Sequence, residues 1–168
     1  ISRNLTWNLP HPDKAYAEWA RVLKPEGLLL NFDANWYAYL FDDAAAADFA
    51  ADRKNSAEAG VEDQNVGKNF NVMEDIARRV PLSNIHRPAW DLETLRSLGL
   101  NAEADKKVWQ RVWSEEEKLN FASTPMFLVR ATNSSLLWDG LSGKKSTMSC
   151  TSQRSAPQMF VSTSVEMS

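Results

Sequence analysis

Few side chains in this 168-residue chain are equipped for chemistry: two histidines, His11 and His86, one cysteine, Cys150, and acidic runs such as Asp42-Asp43 and Glu115-Glu116-Glu117. A single cysteine closes no intramolecular disulfide, and with two histidines it is too little for a Cys/His zinc cluster, so no metal site is expected. A serine hydrolase needs a G-x-S-x-G elbow, which does not occur. A nucleotide loop needs closely spaced glycines whose backbone can approach a phosphate, yet no two of the six glycines form a G-x-G. The run Gly140-Leu141-Ser142-Gly143-Lys144-Lys145-Ser146 lacks the spacing of a phosphate loop. The acidic runs lie in helix-forming contexts, where solvation or partnership with an N-terminal dipole accounts for them.

Composition narrows the classes further. With 43% hydrophobic and 24% charged residues the chain is an ordinary globular one, and its net charge of −3 argues against a nucleic-acid partner. The longest apolar stretches, Leu28 to Leu30 and Met126 to Val129, fall far short of the roughly 20 residues of a membrane span. No membrane partner is expected, and with no signal peptide or presequence in view the expected location is cytoplasmic.

The elements that must position any site follow from periodicity and punctuation. Ile1-Ser2-Arg3-Asn4 reads as the exit of a buried strand. Pro12 suits the first turn of a helix to Leu23, with Ala15, Tyr16, Trp19, Val22 and Leu23 on one side. Lys24-Pro25-Glu26-Gly27 stops it, and Leu28-Leu29-Leu30, leading to Phe32, reads as a strand buried on both faces. An Ala- and Asp-rich stretch runs to Ala59 with Gly60 as its stop, and Val72, Ile76 and Val80 mark a shorter helix. Asp91 is expected to cap a helix through Leu98 that Gly99 ends. Asn101 to Trp113 reads as a partly exposed strand, with Trp109 and Trp113 as sheet-packing aromatics. Ser114 and Glu117 have capping-box spacing, and Met126 to Val129 reads as a last, antiparallel strand. Residues 133–168, with ten Ser and three Thr, are expected to be a disordered tail.

One segment carries more than periodicity. Arg21-Val22-Leu23-Lys24-Pro25-Glu26-Gly27-Leu28-Leu29 matches the R-V-L-K-P-G-G-x-L signature, and Arg3-Asn4-Leu5-Thr6-Trp7 matches the loop after the fourth strand, of class I S-adenosylmethionine-dependent methyltransferases. The stretch resembles the small-molecule enzymes of ubiquinone and menaquinone biosynthesis. One departure is visible: Glu26 stands where the family has the first glycine of the turn. The resemblance spans about residues 1–132 and is specific between Ser2 and Tyr37.

The resemblance implies an α/β fold, the C-terminal part of a doubly wound Rossmann-like sheet that is largely parallel and ends in an antiparallel strand. It implies one partial domain, 1–132, with a helical lid insertion at about 40–90, and the tail beyond it. The glycine-rich loop and the acidic residue for the ribose would lie N-terminal to Ile1, making the chain a truncated enzyme. The implied cofactor is S-adenosylmethionine, met by Ser2, Arg3, Asn4 and Leu5 where the chain leaves the carboxyl edge of the sheet. The implied partner is a small-molecule methyl acceptor, met by Trp7, Asp33, Asn35, Trp36, Tyr37 and Arg87, with His86 as candidate general base. Trp36 and Tyr37 read equally as core aromatics, and His86 as a surface or packing residue. A competing function is a non-catalytic remnant that serves as a binding or oligomerisation module.

Overall fold

A computed structural model describes residues 1–64 and 70–133. Among these residues the protein is α/β, with helices packed on a four-stranded mixed open sheet made of β1 (Ser2–Arg3), β2 (Leu28–Asp33), β3 (Asn101–Asp105) and β4 (Phe127–Thr132), in the order β1-β2-β4-β3. β1 lies parallel to β2, with Ser2 opposite Asn31. β4 runs antiparallel to both β2 and β3, so β1, β2 and β3 share one direction and β4, the last of the described strands, reverses it. An antiparallel last strand paired with β3 is the ending expected for the segment after residue 100.

Between β1 and β2 the chain crosses over through α1, Pro12–Val22, which starts with proline at its first position. α1 and α4, Ala89–Ser97, cover one face of the sheet. Tyr16 and Leu95 pack there on Leu29, Ala102, Val129 and Ala131, with Trp19, Leu23 and Trp90 at the margin. On the opposite face Val108, Trp113 and Met126 gather Phe32, Trp36, Phe121 and Leu128. That second cluster covers only the carboxyl end of β2, so Leu28 stays 45% exposed. The strand is therefore not buried on both faces along its length, and Ile1, 67% exposed, leaves β1 as an edge among the described strands.

Three further expectations are corrected. The first turn of α4 starts beyond Pro88, so Asp91 is inside the helix rather than its cap, and its side chain is fully buried. The strand expected from Asn101 to Trp113 stops at Asp105, whose carboxylate accepts from the Lys107 backbone N–H at 2.8 Å and turns the chain. Beyond it Trp109–Val112 forms a helical turn, α5, so Trp109 packs from that turn onto Trp113, ring centroids 5.9 Å apart, rather than standing in the sheet. In the shorter helix, Phe70–Ala77 (α3), Val72 is 54% exposed and Ala77 is the buried position.

The remaining elements follow their expected signals. α2, Asp43–Glu58, begins at Asp42, whose carboxylate accepts from the Ala45 N–H, and Gly60 follows its end at φ 68°. Gly99 closes α4 in the same left-handed conformation, φ 82°. α6, Glu115–Asn120, carries the full reciprocal capping box of Ser114 and Glu117. No helix among the described residues is long and apolar enough to cross a membrane. The tail beyond residue 133 lies outside the described residues.

Candidate functional site

The interior beneath the carboxyl ends of β1 and β2 is polar, and it is built from five segments. Asn31 interrupts the apolar run of β2, and a polar residue fully buried there must find partners. Its Oδ1 accepts from Ser2 Oγ at 2.7 Å and from Thr6 Oγ1 at 3.0 Å, while its Nδ2 donates to Tyr16 Oη at 2.9 Å. Tyr16 donates in turn to Asp91 Oδ1 at 2.5 Å. Burial, then the adjacent Asp91 carboxylate, push the Tyr16 phenol up, so it stays protonated as that donor.

Arg87 completes the network. Its Nε and Nη2 grip both oxygens of Asp91 at 2.9 and 2.7 Å, and its Nη1 donates to Asp33 Oδ2 at 2.7 Å. Burial works against the guanidinium charge, but the bonds to Asp91 and Asp33 outweigh it and hold it protonated. The ring of Phe127 lies under it, 5.1 Å from the guanidinium carbon. Asp33 also accepts from the Trp7 N–H at 2.9 Å, the Ala34 N–H at 3.0 Å and Trp36 Nε1 at 3.1 Å. Burial pushes this carboxyl up, against the pull of Arg87 and the two backbone donors. Asp33 and Arg87, expected to hold a substrate, thus bind each other in the interior, and neither lines either of the two cavities described below.

What the network does is fix the residues above it. Because Asp33 holds both the Trp7 backbone and the Trp36 indole, these aromatics stand at one cavity of about 400 Å³. Arg3, Asn4, Trp7, Trp36 and Tyr37 line it together, although they come from the exits of two strands. Trp7 and Tyr37 rings lie 5.0 Å apart, and Trp7 Nε1 donates to the Asn4 carbonyl at 3.1 Å. Asn4 is at φ 54°, a left-handed conformation that asparagine tolerates better than most residues. It directs the chain out of β1 into the Thr6–Asn8 turn.

Other expected residues go elsewhere. Ser2 spends its hydroxyl inward on Asn31, and Leu5 lines neither cavity. His86 and Asn35 line a second cavity, so His86 is not brought to the one that holds Asn4 and Trp7.

The first cavity also has walls that the sequence reading assigned to other work. Glu117 supplies a carboxylate there while its Oε2 accepts from the Ser114 N–H at 2.8 Å, and its Oε1 lies 3.6 Å from Arg3. Phe70 and Met73 enter from α3, and their i, i+3 spacing with Ala77 is the signal that could have found them in place of Val72, Ile76 and Val80. Tyr39 borders both cavities, its hydroxyl donating to Glu74 at 2.9 Å and its ring stacked on Phe49 at 4.0 Å. Burial, then Glu74, push the Tyr37 and Tyr39 phenols up, so both present donors rather than bases.

Comparison with protein-family models, curated proteins and solved structures finds no match to this chain.

Proposed function

We propose that this chain forms part of a methyltransferase site that moves the methyl group of S-adenosylmethionine to a small-molecule acceptor, on a Rossmann-like sheet. The observation that carries the reading is the convergence of Arg3, Asn4, Trp7, Trp36 and Tyr37, from the carboxyl ends of two parallel neighbouring strands, on one aromatic cavity. The turn at Lys24 to Gly27, within the stretch from Ser2 to Tyr37 where the resemblance is specific, precedes β2 at its other end. The antiparallel direction of the last strand supports the same reading.

The lining residues suit the positively charged, methyl-bearing end of S-adenosylmethionine. Trp7, Trp36 and Tyr37 offer aromatic rings to a sulfonium and to a flat base, and Glu117 offers a carboxylate. When bound there, the molecule supplies an electrophilic methyl carbon, which an in-line nucleophile displaces from sulfur. The chain's own task is alignment and exclusion of water. Trp7 and Trp36, pinned through Asp33, form fixed walls, and protonated Tyr37 can donate to a polar atom of the acceptor. A proton leaving a hydroxyl or amine acceptor has Glu117 as the carboxylate on the wall.

The test is titration of the 168-residue chain with S-adenosylhomocysteine, followed by amide and indole NMR signals. Binding in the millimolar range is expected, because no glycine-rich loop is present to hold the methionine carboxylate and the ribose. The signals that move should be those of Asn4, the Trp7 indole and Tyr37. No movement of these signals at saturating ligand, or movement confined to the His86 cavity, would overturn the reading.

A further inference from the structure

Asp33 is wholly buried at the carboxyl end of β2, and each hydrogen bond its side chain makes among the described residues is one it accepts. Oδ1 takes the Ala34 N–H at 3.0 Å and Trp36 Nε1 at 3.1 Å, while Oδ2 takes the Trp7 N–H at 2.9 Å and Arg87 Nη1 at 2.7 Å. An ionised carboxylate, an acceptor at both oxygens, suits four donors. A protonated one does not. Its own O–H needs an acceptor and the four groups around it offer none, so taking up a proton forces one of them away.

The four donors are unequally held. Ala34 is the next residue in the chain, and the Trp7 N–H belongs to the Thr6–Asn8 turn, in which Thr6 and Trp7 are buried. Arg87 is fixed by its two bonds to Asp91 as well as by Asp33. The Trp36 indole has a single N–H, spent on Asp33, and its partly buried ring lines the aromatic cavity, edge to face with Phe121 at 5.5 Å. It is the donor free to leave. It moves toward the cavity, and water entering behind it accepts the acid O–H.

The charges around Asp33 leave room for that proton. One guanidinium, Arg87, faces two carboxylates, Asp33 and Asp91, so full ionisation leaves an unbalanced negative charge in the interior. Tyr16 of α1, bonded to Asp91, stays protonated, β4 contributes the uncharged ring of Phe127, and the charged residues of the cavity wall, Glu117 and Arg3, pair with each other. Burial pushes the Asp33 carboxyl in the same direction, up from the ordinary aspartate value. We propose that Asp33 is a proton-operated latch on the aromatic cavity: as a carboxylate it holds the Trp36 wall in place, and as an acid it lets the indole go, so that the shape of the cavity follows pH. The inference rests on the hydrogen bonds of one buried side chain and stands whatever the cavity binds.

The experiment follows the full chain by NMR, without ligand, between about pH 4 and about pH 8, reading the Asp33 side-chain carboxyl carbon and the Trp36 indole N–H together. Both signals should titrate with one midpoint, above the roughly 3.9 of an unperturbed aspartate. Trp36→Phe keeps a ring at the wall and removes the donor. A bond made only to the carboxylate holds the midpoint down, so its loss should raise the Asp33 midpoint by roughly 1 pH unit, whereas an indole bound alike in both forms would leave it unmoved. Asp33→Asn, with its carbonyl oxygen kept by Arg87 and the Trp7 N–H, turns an amide nitrogen to the indole and should fix the Trp36 signal near its acid position at every pH. A Trp36 signal that stays flat while Asp33 titrates, an unmoved midpoint in the Trp36→Phe variant, or an Asp33 carboxyl that stays ionised until acid unfolds the chain would each overturn the proposal.

Discussion

Arg87 stands between two carboxylates from different elements, Asp33 at the end of β2 and Asp91 in the first turn of α4, and is 2% exposed. Removing its charge would leave both acids buried without a counter-ion. Arg87→Met should therefore cost about 3–5 kcal/mol, far more than a surface ion pair. The loss should depend on pH, and its sign is fixed by Asp33. Burial already raises this carboxyl and Arg87 pulls it down, so in the variant the folded protein binds a proton at pH values where the unfolded chain does not. Stability then falls as pH rises. The deficit relative to the parent, measured by denaturant unfolding at about pH 5 and about pH 8, should be larger at the higher pH. A deficit that shrinks as pH rises would show that Asp33 is not the acid left uncompensated. At this scale the sequence was least legible. The spacing of Arg87 and Asp91 is that of a helical ion pair, but Asp33 lies 54 positions from Arg87, and no local pattern joins them. Asn31 was the available clue, as a polar residue set in an apolar strand. Sequence reasoning placed Arg87 on a substrate, whereas the fold places it under the residues that line the cavity.

The turn between α1 and β2 shows what an element demands of its residues. Glu26 is at φ 59°, in the left-handed region where a Cβ crowds the backbone and glycine is the favoured residue. Gly27, by contrast, has no φ of this kind, and its constraint is space. A Cβ there would lie 2.6 Å from the Lys24 carbonyl oxygen and 2.8 Å from Leu23 Cγ. The turn cannot easily give way, because the Glu26 N–H donates to the Asn133 carbonyl at 2.8 Å and the Asn133 N–H to the Gly27 carbonyl at 3.2 Å, clipping it to the end of β4. Glu26→Gly should raise stability by up to about 1 kcal/mol, less the entropy glycine restores to the unfolded chain. Gly27→Ala should lower it by roughly 1–3 kcal/mol. If thermal melts ranked the two the other way, the turn would have a different conformation in solution. Elements were more legible than residues, because caps, glycine stops and apolar runs are local signals. The exception is instructive: Val108, Trp109, Val112 and Trp113 are β-forming types, yet their spacing of one, three and one is helical, and spacing decided the outcome.

Across the whole molecule, apolar burial is unevenly shared, and stability should be shared in the same way. β2 and β4 pair along six positions in the middle of the sheet, and Leu29, Phe127, Val129 and Ala131 are buried between them and the α1 and α4 layer. α2 has no comparable anchor. Its buried residues are Asp52 and Ser56, and its apolar positions show no marked inward face. It is held by Asp42 at its cap, by Asp52 on the Ser123 N–H, by Arg53 on Asp63 and the Asn120 carbonyl, and by Phe49 stacked on Tyr39. Such polar ties each contribute little net free energy, since water replaces them when the helix lifts. Hydrogen exchange should therefore divide the chain, with the amides of residues 28–33 and 127–132 exchanging only through global unfolding and those of 43–58 through a local opening at least tenfold more frequent. Added denaturant separates the two, because a local opening exposes little surface and its rate should respond weakly. The consequence reaches the cavities. Asp42 and Ala45 at the start of α2 wall the cavity that holds His86, and Tyr39, stacked on α2, walls both, so the opening that exchange reports also reshapes the cavities. A ligand that closes over these walls should slow exchange in 43–58 and leave the central strands unchanged. Uniform exchange across both regions would instead mean that α2 and the sheet open together, and that the cavity walls move only when the whole domain unfolds.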